Sequence, residues 1–294
     1  MAEECEKTDG VISVYSMEYD LAPTQPVHIK YWIGAVLRNN LLYAASKIGV
    51  GNGTLLELIS RKESEEKQDN PRGFALQCAP MFIPETLQMG ELFSFRLQLF
   101  GNRKNYAEAF HQAVVEMCKR GFGYPMTPMT IMSCRHCKTD FRGQNTPYKK
   151  VKIEFITPVS IYNNRAKSQS KRSSLDKQNG MPGFYFLIKS LSHRMNKLRH
   201  LYENAPLAEY DRIEEWCEQA RETELEECSL RKICLQSTPR KDSTKPILFS
   251  GYVGYAVYSR VAAKYVPLLY AGMSLNVGND TVYGLGQYRI DMQF

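Results

Sequence analysis

The stretch NVGNDTVYGLGQYRI spans residues 276–290, and three glycines, Gly278, Gly284 and Gly286, interrupt a run otherwise built like a β-strand. Glycine inside a strand costs entropy and packs nothing, so its repeated use asks for a reason. A counterpart lies at RGFGYP, residues 120–125, which follows a helical pattern and precedes a strand just as the later stretch does. One glycine pair there reads as a helix cap. Recurrence at equivalent places in two half-chains is the stronger signal, and it divides the sequence.

Working outward, each half reads β-α-β-β-α-β. In the first, VISVYSMEYDL (11–21) alternates as a strand, and Ile29, Ile33, Val36, Leu37, Leu41, Ala44 and Ala45 recur at helical steps over residues 27–48. Strands follow at 73–79 and 91–100, then an amphipathic helix ending at Gly121 and a strand after it. In the second half, 149–163 reads as a strand that could fold into a hairpin at Thr157-Pro158. Helices over 183–203 and 208–221, strands at 229–236 and 246–257, a short helix after Pro267 and a last strand complete it. The expectation is an α+β protein of tandem ferredoxin-like (RRM-like) βαββαβ domains, 1–145 and 146–294, joined at the turn-rich GQNTPY.

Composition limits the function. The 294 residues are 43% hydrophobic, enough for real cores, with a formal charge of +7 that favours acidic partners, nucleic acid first. No apolar run approaches a membrane span, and the polar, acidic start MAEECEKTDG does not read as a signal peptide. A cytoplasmic protein with reduced thiols is the expectation. Charge is uneven. Residues 165–199 hold nine Lys/Arg against Asp176, whereas residues 203–227 hold ten acids against Arg212 and Arg221. The basic block suits a phosphate backbone or a solvated loop. The acidic block reads as an exposed helix face.

Five segments in order carry a family resemblance: GELFSFRLQLFG, KRGFGYP, IEFITPVSI, FLIKSLSHRMNKLRHLY, and FSGYVGYAVY with LLYAGMSLNVGNDTVYGLG. Together they resemble the CRISPR-associated endoribonucleases that process precursor guide RNA, the Cas-six class of the RAMP superfamily. The resemblance implies two ferredoxin-like domains and metal-independent cleavage of CRISPR repeat RNA, with no cofactor. The 2′-hydroxyl would attack the adjacent phosphate, leaving a 2′,3′-cyclic phosphate. The alternative is a non-catalytic RNA-binding subunit of an effector complex. Repeat RNA, and other effector-complex subunits, are the expected partners.

The family places its catalytic histidine on or beside the first helix, so His28 is the first choice, with Lys30 and Tyr31 beside it. A helix N-terminus would draw a phosphate to this point. Arg38, Lys171, Arg172, His193, Arg194 and Lys197 are candidate RNA contacts, and so are Gly278, Gly284 and Gly286, whose backbone could approach an RNA strand or the neighbouring domain. His111 reads as structural or surface. CRHCKTDF sets Cys134 and Cys137 apart by two residues around His136; with no second pair at zinc spacing, two free thiols in a loop is the reading, and no metal is expected.

Overall fold

The computed structural model describes residues 11–60, 70–78, 85–139, 148–161, 183–237 and 246–293. The first domain contains β1 (Val14–Pro23), β2 (Val27–Ile29), α1 (Ile33–Ala45), β3 (Gly49–Val50), β4 (Gly53–Thr54), α2 (Leu55–Ser60), β5 (Phe74–Cys78), β6 (Glu85–Leu87), β7 (Phe93–Phe100), α3 (Ala107–Arg120) and β8 (Met129–Thr139). Its main sheet has the order β5-β7-β1-β8, with every pair antiparallel. Met17, Tyr19 and Leu21 alternate along β1 and are fully buried against Ile33, Leu37 and Leu41 of α1 and Phe110, Val114 and Met117 of α3. The period-2 strand face thus meets two helical stripes.

The second domain repeats this plan with β9 (Tyr148–Val159), α4 (Phe184–Glu203), α5 (Tyr210–Glu218), β10 (Glu224–Gln236), β11 (Leu248–Val261), α6 (Val266–Leu275) and β12 (Tyr288–Gln293). Its sheet order, β10-β11-β9-β12, is the same permutation. The chain is a tandem of ferredoxin-like domains.

Three local readings change. Residues 27–29 form a strand paired with β6, and the first helix begins only at Ile33. Two valine- and isoleucine-bearing positions, Val27 and Ile29, are buried and His28 between them is exposed, which is strand alternation mistaken for helix. Thr157-Pro158 turns no hairpin: β9 runs through it as a bulge, Phe155 pairing Gly254 and Val159 pairing Tyr252. Cys134–Cys137 lies within β8, not in a loop. The joining segment GQNTPY falls largely outside the described residues, as does the basic run at 162–182 with Lys171 and Arg172.

The glycine-rich stretch is where the domains meet. Gly278, Gly284 and Gly286 have φ of 82°, 75° and 74°, a region open mainly to glycine. A Cβ on Gly278 would collide with the Ser160 carbonyl oxygen and one on Gly286 with that of Val277, while one on Gly284 would lie 3.0 Å from Cys78 Sγ of the first domain. The bulge in β9 receives the loop: Gly286 N–H donates to Pro158 O (3.0 Å) and Gln287 N–H to Thr157 Oγ1 (2.9 Å). From there the loop crosses over. Asn276 Nδ2 donates to Leu76 O (3.0 Å), Gln77 Nε2 donates to Asn276 Oδ1 (2.8 Å) and Met273 O (2.6 Å), and Leu285 is buried in the core of the first domain.

The acidic and basic blocks also meet within the chain. Glu214 of α5 accepts from Lys189 Nζ (2.7 Å), Tyr185 Oη (2.8 Å) and His193 Nε2 (3.3 Å) of α4. Partial burial alone would raise the Glu214 carboxyl, but these bonds hold it down at about 2. Burial pulls His193 below the usual histidine value, against the opposing pull of Glu214.

Two predictions follow from packing and charge. Gly286→Ala combines a left-handed φ with overlap against backbone and should cost about 3 kcal/mol. Gly51→Ala has positive φ but nothing within 4 Å, and should cost about 1 kcal/mol. Thermal unfolding of both variants decides it; equal small losses would show that the loop does not need its close approach. The second concerns pH. Glu214 has a depressed folded pKa, so its contribution is present above the ordinary carboxylate range and fades as pH falls from about 4.5 towards about 2. The Tm gap between wild type and Glu214→Gln should therefore narrow as pH drops below about 4.5, and a gap constant from pH 7 to 3 would contradict this.

Candidate functional site

Strand β2 holds His28 at the surface. Its backbone pairs on one side with Thr86 in β6 and on the other with Tyr124, each N–H to carbonyl distance to Tyr124 being 2.9 Å. On the side chain, Nδ1 lies 3.1 Å from Thr86 Oγ1. Among the described residues Nε2 has no hydrogen-bond partner. Lys30 is exposed and sits 5.6 Å from the centre of the Tyr31 ring, which in turn meets Tyr124 edge-on at 6.4 Å. An imidazole, an ammonium and two phenol rings therefore share one exposed corner. Such a set can move a proton, neutralise a phosphate and stack a base.

The helix behind this corner starts against the glycine-rich segment. Trp32, which caps α1, gives its N–H to Gln236 O of β10 (2.8 Å) and its indole Nε1–H to Tyr283 O (2.6 Å). A Cβ on Gly34 would overlap that same Tyr283 carbonyl. With the helix beginning only at Ile33 and the glycine-rich segment crowding its first turn, the case for His28 rests on its exposure and neighbours. Arg38, one further turn along α1, lies over the Tyr283 ring at 4.4 Å. Burial pulls its guanidinium below the usual arginine value, and Asp280 opposes that shift. It holds the segment in place.

The other expected RNA contacts are dispersed. His193 stacks on Tyr210 at 4.9 Å beside Glu214. Arg194 turns inward, donating through Nε to Leu275 O (3.0 Å) at the C-terminal end of α6, and burial brings its guanidinium down to about 10. It ties down the residue that precedes Asn276. Lys197 is half-buried on the same helix. The three glycines face protein at the contacts given above.

Between the open faces of the two sheets lies a cleft of about 630 Å³ lined by Arg96, Arg135, Arg289, Glu18, Gln287 and Tyr288, among others. Each arginine has a carboxylate: Arg96 to Glu18 at 3.0 Å, Arg135 to Glu18 and Asp20 at 3.5 Å, and Arg289 to Glu154 at 2.7 Å. These exposed pairs are weak, so an incoming phosphate can compete for the guanidinium. The sequence reading did not single out these arginines. Strand parity could have found them, because Arg96 and Arg135 both pair with Glu18 across β1.

Comparison with known proteins gives the context. Residues 153–288 match the family of the CRISPR-associated endoribonuclease Cas6. A second family model, described as an N-terminal domain, matches residues 54–155. No curated protein sequence matches the chain significantly. Among solved structures, Thermus thermophilus Cas6, as a product complex, is 14% identical with a TM-score of 0.60, covering 96% of this chain and 99% of that one. A Cas6-related protein of Pyrococcus furiosus is 11% identical with a TM-score of 0.52, covering 95% and 98%. A chain of a partial Cas6-RT-Cas1–Cas2 complex is 10% identical with a TM-score of 0.61; 97% of this chain is covered but 47% of that one. These identities establish the shared fold. No helix among the described residues is long and apolar enough to cross a membrane. The matched region runs from within β9, through its bulge, to the first residue of β12 and takes in the glycine-rich segment that closes the seam, so the second domain of this chain is the part that matches the CRISPR-associated endoribonuclease Cas6 family.

Proposed function

We propose that this protein cuts CRISPR repeat RNA within a precursor transcript to give mature guide RNA. The observation that carries this is the Cas6 family match over residues 153–288, on a chain whose tandem fold is shared with Cas6 along nearly its full length. The cut is internal transesterification. The 2′-oxygen forms a bond to the adjacent phosphorus as the bond to the 5′-oxygen breaks. One proton leaves the 2′-hydroxyl and one reaches the departing 5′-oxygen, so no metal ion is required by the balance of the step.

His28 is the residue proposed to transfer one of these protons, since its ring is exposed and Thr86 fixes one nitrogen while the other faces outward unpartnered among the described residues. Lys30 supplies positive charge to the phosphate, and Tyr31 borders the same corner. Positioned proton transfer of this kind contributes ~100- to 10,000-fold. Lys171, Arg172 and Lys197 are proposed to follow the RNA backbone, a contact whose strength falls with salt. His193, Arg194 and the glycines Gly278, Gly284 and Gly286 serve this reading by holding the scaffold that presents such contacts.

The test uses purified protein and repeat RNA from its source genome, with EDTA present. A single cut leaving a 2′,3′-cyclic phosphate, abolished by a 2′-deoxy substitution at that site, is expected. His28→Ala should lower the cleavage rate at least ~100-fold while RNA binding persists. Unchanged cleavage would remove His28 from the chemistry. Tight binding of every repeat without any cut would make the protein a guide-RNA-holding subunit instead.

A further inference from the structure

Away from the His28 corner, α3 and β8 bring three metal-type donors together. His111, Cys134 and His136 place one ligand atom each within 4.8 Å of the others, the one such cluster among the described residues. Cys134 Sγ is 3.1 Å from His136 Nε2 and 3.9 Å from His111 Nδ1. In a tetrahedral zinc site, Zn–S near 2.3 Å and Zn–N near 2.0–2.1 Å put neighbouring S and N donors roughly 3.5 Å apart. The two observed separations bracket that value.

The strand explains which residues converge. Cys134 and His136 are two apart in β8 and share the face turned to α3, where they pair with Tyr19 and Met17 of β1. Cys137, three residues on, turns to the opposite face and lines the cleft between the sheets. The Cys-x-x-Cys spacing therefore does not form a ligand pair, and the third donor comes from the helix. His136 is also oriented as a ligand. Its Nδ1 lies 2.7 Å from Tyr15 Oη, so a hydrogen bond fixes one nitrogen and leaves Nε2 aimed at the thiol. Tyr19 Oη, 3.1 Å from His111 Nδ1, borders the same space. The cluster is open to solvent through His136, which gives an ion a way in.

We propose that His111, Cys134 and His136 form a binding site for a borderline-soft divalent cation, zinc above all. One thiolate and two neutral imidazoles select such an ion over magnesium or calcium. Binding releases the Cys134 thiol proton to solvent, each imidazole donates a lone pair, and water completes a four-coordinate shell. The site ties α3 to the edge strand β8. It lies apart from the residues given to RNA cleavage, and a metal there takes no part in the transesterification.

The test needs no RNA, so its outcome is separate from that of the cleavage assay. Metal-stripped full-length protein is titrated with Co²⁺ and, in competition with a chelating dye, with Zn²⁺. One equivalent of Co²⁺ should bind, giving visible bands of a four-coordinate ion and a thiolate-to-metal charge-transfer band. Cys134→Ser should remove the charge-transfer band and weaken Zn²⁺ binding at least ~100-fold, while Cys137→Ser should change neither. Tyr15→Phe, which keeps all three ligands, should weaken Zn²⁺ binding ~10- to 100-fold through loss of the orienting bond. Circular dichroism of each variant without metal shows whether it is folded. Absence of stoichiometric binding at micromolar metal, or wild-type binding by folded Cys134→Ser, would overturn the proposal.

Discussion

The side-chain amide of Asn276 is wholly buried, and its bonds to Leu76 O and from Gln77 lie at the centre of the seam between the two domains. β5 is an edge strand of the first sheet, and an edge leaves backbone groups without partners. Asn276 and Gln287 cover that edge with side chains from the second domain, donating to the carbonyls of Leu76 and Cys78. A buried amide left unpaired would cost about 1–3 kcal/mol, so the seam tolerates little slippage. The left-handed backbone of Asn276, the three glycines and the bulge at Thr157-Pro158 all serve to bring these amides to the edge. The inward-facing Arg194 secures the helix end from which the loop departs.

With the seam fixed, two kinds of surface become possible. The corner carrying His28, Lys30 and Tyr31 lies at the first domain's short β2 strand, directly before the helix that abuts the seam. The cleft between the open sheet faces carries arginines already paired with carboxylates. That pairing holds the guanidiniums in place at small cost and leaves them exchangeable, which suits a polyanion that must be bound and then released. The net charge of +7 adds long-range attraction to these local contacts.

Much of this was legible beforehand. Paired glycine stretches and repeated β-α-β-β-α-β patterning revealed two like domains, because period 2 and period 3.6 are written locally. What failed was local too. Val27-His28-Ile29 is too short to show whether its alternation is strand or helix, and only pairing with Thr86 and Tyr124 decides it. Arg194 looked like a surface cation because its neighbours on α4 are basic, but its partner, the Leu275 carbonyl, lies 81 residues away. The partners of His111, Tyr19 and Cys134, likewise come from other elements and were not visible from its own helix. Sequence spacing tells which face a residue occupies, and it is silent on what another element brings to that face.

Leu285 belongs to the core built by the first domain, together with Leu235 and Phe249, although all three come from the second half of the chain. A nascent chain emerges from the ribosome N-terminus first, and domains generally fold in that order. Here the first domain cannot close its core when its own last strand, β8, has been made. It must wait, with part of its apolar surface open, until residue 285 has been synthesised. Contacts between Ile33–Ala45 and Thr281–Tyr283 are similarly remote in sequence, and loops that long are slow to close. The two domains that look independent on paper thus share part of one core, and a chain halted before residue 285 would leave the first half's core unfinished.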